Sequence, residues 1–137
     1  MSEILALLEG QIARIHIFAA LDTLEFLHRS GRMNFAFSTL GSLLRIKPLL
    51  KMYDGNPTAE RVRTRKKAMD RLVELFHAYG PFEKVALLHS GAADRAQALL
   101  MKVRDSLPSG EVWMEEINPV LGTHIGPGVV GFACVSE

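Results

Sequence analysis

Apolar residues recur along this chain with two different periods, and the switches between them mark out its elements. Over residues 66–79, Met69, Leu72, Val73 and Phe76 fall at i, i+3, i+4 and i+7, which predicts an amphipathic helix ended by Gly80-Pro81. A second helix of this kind is predicted over 92–106, with Ala96, Leu99, Leu100, Val103 and Leu107 on its apolar stripe and Pro108-Ser109-Gly110 as its break. Residues 2–9 carry Ile4, Leu5, Leu7 and Leu8, enough for a helix of about two turns, shorter than the ~12 residues at which an isolated helix becomes even marginal. Gly10 is the expected stop, so this helix reads as cut short.

The other period is two. Within residues 12–19, Ile15, Ile17 and Ala19 alternate with Arg14, His16 and Phe18, the pattern of a strand. Asp22 or Thr23 can cap a following helix whose Leu24 and Leu27 point inward until Ser30-Gly31. Residues 33–44 mix apolar with small side chains (Ala36, Ser38, Gly41, Ser42) and predict one or two short helices lying close to a neighbour. A strand over 46–53, the dense turn signal Asp54-Gly55-Asn56-Pro57 and a return strand over 59–64 make a hairpin. That return strand sends Arg61 and Arg63 to one face, with Arg65 continuing the series. Shorter strands are expected over 84–89, 112–117 and 129–135, the last preceded by a glycine-rich loop, Gly122-Thr123-His124-Ile125-Gly126-Pro127-Gly128. The expected fold is α/β (α+β): one domain with a mixed, largely antiparallel sheet covered by helices.

Composition narrows this picture. At 137 residues, with 48% hydrophobic and 23% charged positions, the chain can bury one core and not two. Its single cysteine, Cys134, excludes an internal disulfide and a cysteine-rich metal site; lying in an apolar run, it suits a small core residue in a reducing setting. The start, MSEILALLEG, lacks a basic segment and a small-residue cleavage site, and no apolar run approaches the ~20 residues needed to cross a bilayer. A soluble, unprocessed, cytoplasmic protein without membrane insertion is expected. A net charge of +1 gives no general argument for nucleic acid. Six of the sixteen basic residues nevertheless lie between Arg61 and Arg71, with only Asp70 to offset them.

Three stretches could carry chemistry. The glycines of the tail loop let backbone N–H groups approach a ligand, and Thr123 and His124 add donors for a carboxylate or phosphate; the plain alternative is a tight turn with a surface histidine. The stretch Arg61-Val62-Arg63-Thr64-Arg65-Lys66-Lys67 suits carboxylates, phosphates or an acidic protein, against the alternative of a solvated edge strand whose charges prevent aggregation. It has no interleaved aromatic residue to stack a base, which disfavours RNA. Gly31-Arg32 is a candidate site or simply a helix C-cap with a basic residue near the negative end of the dipole. Arg45 and Lys47 read as surface strand residues. No nucleophile elbow, phosphate loop or paired metal-binding histidines are present, and His16, His28, His77, His89 and His124 are scattered without metal-like spacing. Neither catalytic residues, a metal nor a cofactor is expected, and no enzyme can be assembled from these parts.

Taken in order, five segments resemble the DegV family over about residues 15–135. They are Phe18-Ala19-Ala20-Leu21-Asp22-Thr23-Leu24-Glu25-Phe26-Leu27, Ser30-Gly31-Arg32-Met33, Leu40-Gly41-Ser42-Leu43-Leu44-Arg45-Ile46-Lys47-Pro48, Arg61-Val62-Arg63-Thr64-Arg65-Lys66-Lys67-Ala68, and Gly122-Thr123-His124-Ile125-Gly126-Pro127-Gly128. The resemblance implies a bacterial lipid carrier in which two α/β domains enclose one long-chain fatty acid, its tail in an apolar tunnel and its carboxylate near their interface. Hydroxyl groups of the amino-terminal domain and the histidine of the glycine-rich loop, here His124 with Thr123 beside it, would hold the carboxylate. Phe35, Phe37, Leu40, Leu43 and Ile125 are the expected tail contacts, and exposed apolar wall around the first four would favour self-association. Ile125 stands where threonine is common in the family, leaving more of the polar work to His124.

Some members of the family present the bound acid to a separate fatty-acid kinase. Arg32, Arg61 and Arg63 are the expected contacts with such a partner or its phosphate. The family is about twice this length, so the resemblance implies a carboxyl-terminal domain over 1–137, with 1–11 a truncated interdomain helix and connection and the amino-terminal domain absent. Two other readings stand beside it: a basic interaction module that binds protein or nucleic acid through Arg61–Arg71 without lipid, and an enzyme domain using His124 as a general base.

Overall fold

The computed structural model describes residues 1–32 and 46–137. In chain order the elements are α1 (Ser2–Ile12), β1 (Ile15–Ala20), α2 (Glu25–Arg29), β2 (Lys47–Tyr53), β3 (Asn56–Val62), α3 (Arg65–Tyr79), β4 (Phe82–His89), α4 (Ala93–Val103), β5 (Val112–Glu116), α5 (Pro119–Ile125) and β6 (Val130–Ser136). The predicted helices at 33–44 lie outside the described residues.

Six strands form one sheet in the order β3-β2-β1-β6-β4-β5. Every adjacent pair is antiparallel except β4–β5, so the expected mixed, largely antiparallel sheet is observed. The β2–β3 hairpin turns at Asp54-Gly55, where both φ angles are positive (49° and 70°), as a two-residue turn matched to strand twist requires.

Strand alternation divides the core. Phe18, Leu49, Val85, Leu87, Phe132 and Cys134 face α3 and α4, which cover that side with Leu72, Phe76, Ala96 and Leu99. Burial pushes the Cys134 thiol up to about 12, so it is an inert core group. The opposite side carries a smaller cluster in which Leu21, Leu24 and Leu27, at and around α2, meet Ile125 and Val129.

Several sequence expectations are corrected. Gly10 does not end α1, which runs on to Ile12, because one glycine costs only ~1 kcal/mol in a helix. The return strand is Asn56–Val62, not 59–64: Thr64 instead caps α3, its Oγ1 accepting from Lys67 N–H at 3.1 Å. Arg65 is therefore helical and leaves the arginine series of the strand. Residues 122–125, expected as part of the 122–128 loop, instead complete α5, with Asn118 Oδ1 accepting from Leu121 N–H at 3.0 Å and Pro119 opening the first turn.

Candidate functional site

The side of the sheet opposite α3 and α4 holds an apolar cavity of about 230 Å³. Ile17 and Ala19 of β1, Leu50 of β2 and Leu88 of β4 line it together with Ile125 and Val129. These outward positions follow from β1 alternation: Phe18 and Ala20 go to the helix-covered core, so Ile17 and Ala19 go to the cavity. Ile125, expected as a tail contact, lines this cavity. Phe35, Phe37, Leu40 and Leu43 lie outside the described residues.

The helix α5, which lends Leu121 and Ile125 to this cavity, also carries Thr123 and His124. His124 is half-buried one residue before Ile125, and its Nδ1 is enclosed without a hydrogen-bond partner among the described residues. A buried N–H without an acceptor is rarer and costlier than a buried lone pair without a donor. The neutral ring therefore favours its proton on Nε2, leaving Nε2–H as the group that can donate to an anion. Thr123 is exposed and its hydroxyl donates to Val120 O at 2.8 Å, so toward a ligand it can act only as an acceptor unless it rotates. Together with Ser90 and Asn118, Thr123 lines a separate open cleft of about 610 Å³.

After α5 the chain turns through Gly126 (φ 80°) and Gly128 (φ 83°), conformations that L side chains rarely adopt. Space forbids side chains there too: a Cβ would lie 2.4 Å from the Phe26 ring at position 126 and 2.3 Å from Asp22 Oδ2 at position 128. The glycines thus serve close packing against α2 and Asp22.

Asp22 is the residue that sequence reasoning assigned most differently. Of the two cap candidates, Thr23 takes the local role, its Oγ1 accepting from Glu25 N–H at 3.1 Å. Asp22 instead accepts from Arg65 at 3.0 Å and from Arg95 at 3.4 Å, while Lys47 Nζ donates to the Asp22 carbonyl at 3.0 Å. Lys47, read as a plain surface residue, is therefore engaged. Neither Arg95 nor Ser90 was singled out, because their partners lie far away in sequence and leave no local pattern.

The proposed partner contacts are less concentrated. Arg32 is exposed just after α2; Arg61 and Arg63 are exposed at and just beyond the end of edge strand β3. Within the same stretch, Lys66 pairs with Asp70 and Arg71 with Glu60 and Glu74, which offsets much of its positive field. Among the described residues, no group of three or more His, Cys, Asp or Glu side chains is placed to hold a metal ion, and no helix is long and apolar enough to cross a membrane.

The sequence profile described as "Uncharacterised protein, DegV family" matches residues 1–137. The chain belongs to the DegV family. A DegV domain-containing protein of Streptomyces coelicolor is 37% identical over 133 residues, covering 94% of this chain and 47% of that protein. Among solved structures, the fatty-acid-binding DegV family protein of Streptococcus agalactiae superposes with a TM-score of 0.86 at 30% identity, covering 100% of this chain and 50% of that one. A DegV family protein of Thermus thermophilus, described for its fatty-acid binding, gives 0.85 at 34% identity, covering 100% and 51%. This DegV chain thus spans about half the length of the relatives it matches, and the expected DegV architecture is the one observed.

Proposed function

We propose that this chain binds the acyl tail of a long-chain fatty acid in the apolar cavity beside α5, with His124 donating Nε2–H to the carboxylate. The observation that carries the reading is an almost wholly apolar cavity lined by Leu121 and Ile125 of α5, the same helix that carries His124, a half-buried imidazole whose Nδ1 is enclosed. The fatty-acid binding described for the Streptococcus agalactiae and Thermus thermophilus relatives supports it.

At about 230 Å³ the cavity is smaller than the ~300–1,000 Å³ usual for drug-sized ligands, so it suits part of a tail, the remainder lying against an amino-terminal domain of the two-domain carrier. Each methylene buried is worth ~0.8 kcal/mol, so even a partial wall contributes measurable affinity. The carrier would present the carboxylate to a partner fatty-acid kinase docking at Arg32, Arg61 and Arg63, cytoplasmic and without chemistry of its own.

Native mass spectrometry of the purified chain, followed by organic extraction, tests the proposal. A stoichiometric long-chain fatty acid that is lost in His124→Ala is the expected result. A chain that stays empty both alone and after addition of an amino-terminal DegV domain would overturn the lipid reading.

A further inference from the structure

The turn that follows His124 is gripped on both sides of one residue, Gly128. Gly128 N–H donates to Ser90 O at 2.7 Å, and Ser90 N–H donates to Val129 O at 2.9 Å, which ties the turn to the end of β4. From the other direction, the Gly128 carbonyl accepts from Arg95 Nη2 at 2.6 Å. Arg95 stands on α4, 33 residues away in sequence, with its side chain 27% exposed. Its second terminal nitrogen donates to Asp22 Oδ1 at 3.4 Å, and Arg65 donates to Asp22 Oδ2 at 3.0 Å.

One guanidinium therefore spans two acceptors, and one carboxylate spans two guanidiniums. We propose that Arg95, oriented by Asp22, is a positioning residue that fixes the Gly126–Gly128 turn and thereby holds the His124 imidazole in place for a ligand carboxylate. The identity of the ligand rests on the fatty-acid reading above; the positioning geometry does not.

Three features support the assignment. The grip uses both terminal nitrogens of one rigid guanidinium, whereas a lysine would have to reach Asp22 and the Gly128 carbonyl from a single nitrogen on a flexible stem. The network lies directly against the turn, because a Cβ at position 128 would fall 2.7 Å from Arg95 Nη2. Only the end of α5 and Pro127 separate this anchor from His124, and Gly126 N–H still closes the helix on Gly122 O at 2.8 Å. Displacement of Gly128 is thus transmitted through a short, hydrogen-bonded segment to the ring.

The test compares the full chain with Arg95→Gln, Arg95→Lys and Asp22→Asn. Two readouts need no lipid: the His124 ring resonances followed through a pH titration by NMR, and exchange of the Gly128 amide. Arg95→Gln is expected to move the His124 resonances and to speed Gly128 exchange by about tenfold, the scale of one hydrogen bond to a charged group. Arg95→Lys should recover part of this, and Asp22→Asn should shift the ring in the same direction as Arg95→Gln. Unchanged His124 resonances and titration in a folded Arg95→Gln protein would overturn the positioning role; if that variant does not fold, unchanged values in Arg95→Lys would do the same. Palmitate binding is measured in parallel and should weaken about tenfold in Arg95→Gln. A wild-type chain that binds no palmitate would count against the fatty-acid reading alone, since the ring resonances still decide the role of Arg95.

Discussion

His16 lies between the rings of Tyr53 and Tyr79, 4.7 Å from each and nearly parallel to both, with its Nδ1 enclosed and without a hydrogen-bond partner among the described residues. Burial lowers its pKa from the ordinary 6.5. The folded state thus takes up the proton less readily than the unfolded chain does. The associated stability is complete above pH 6.5 and is lost as the pH falls through the folded value. His16→Phe keeps a ring in the stack and removes the proton. Wild-type stability, measured by urea unfolding, should therefore decline relative to His16→Phe as the pH is lowered from 7 to 5. Attraction of an imidazolium to the two tyrosine faces would act in the opposite sense, and a wild-type protein that gains on the variant in acid would show that this attraction wins. The alternation of β1 had already assigned His16 to the side shared with Phe18, but its stacking partners come from β2 and α3 and were not legible. His124 could be singled out from its surroundings in sequence. The Asp22–Arg95 contact could not, since 73 residues separate its partners.

Between elements, the β2–β3 hairpin is fastened to α3 through Glu60. Its carboxylate accepts from Lys51 at 2.6 Å and from Arg71 at 2.9 and 3.1 Å, and these bonds, Arg71 first, hold its pKa down to about 2 from an ordinary 4.5. Here the folded state releases the proton more readily. The stabilisation is complete above pH 4.5 and disappears between there and about 2. Glu60→Gln should cost on the order of 1–3 kcal/mol at pH 7 and flatten the acid limb of the stability profile in that window. Chemical denaturation at pH 7, 4.5 and 3 checks it, and equal acid slopes in the two proteins would remove Glu60 from the account. The elements so fastened were largely legible, because α3, α4 and the strands each carry a clean period. The exceptions have local causes. Gly122 and the glycines after it masked α5, although Asn118-Pro119 is a helix start signal, and the capping hydroxyl of Thr64 cut short a strand that charge alternation had extended.

For the whole molecule, apolar surface is divided unequally. One side of the sheet is closed by α3 and α4, while the other leaves Met52 42%, Leu121 48% and Trp113 39% exposed. The helix α1 buries no residue, with Ile4 63%, Leu7 64% and Leu8 47% exposed. A soluble monomer rarely tolerates contiguous apolar patches beyond a few hundred Å². The chain is therefore expected to self-associate, with a weight-average mass in sedimentation equilibrium that climbs above 15.2 kDa as concentration rises. Two perturbations separate the surfaces responsible. Ile4→Glu combined with Leu8→Lys places an opposite-charge pair four residues apart on one face of α1 and should return the mass toward 15.2 kDa without loss of helical signal, if α1 is the contact. Palmitate, by filling the cavity beside Ile125, should reduce association only if the open side of the sheet is the contact. A mass that stays at 15.2 kDa at all concentrations would mean that these exposed side chains are too dispersed to act as one surface.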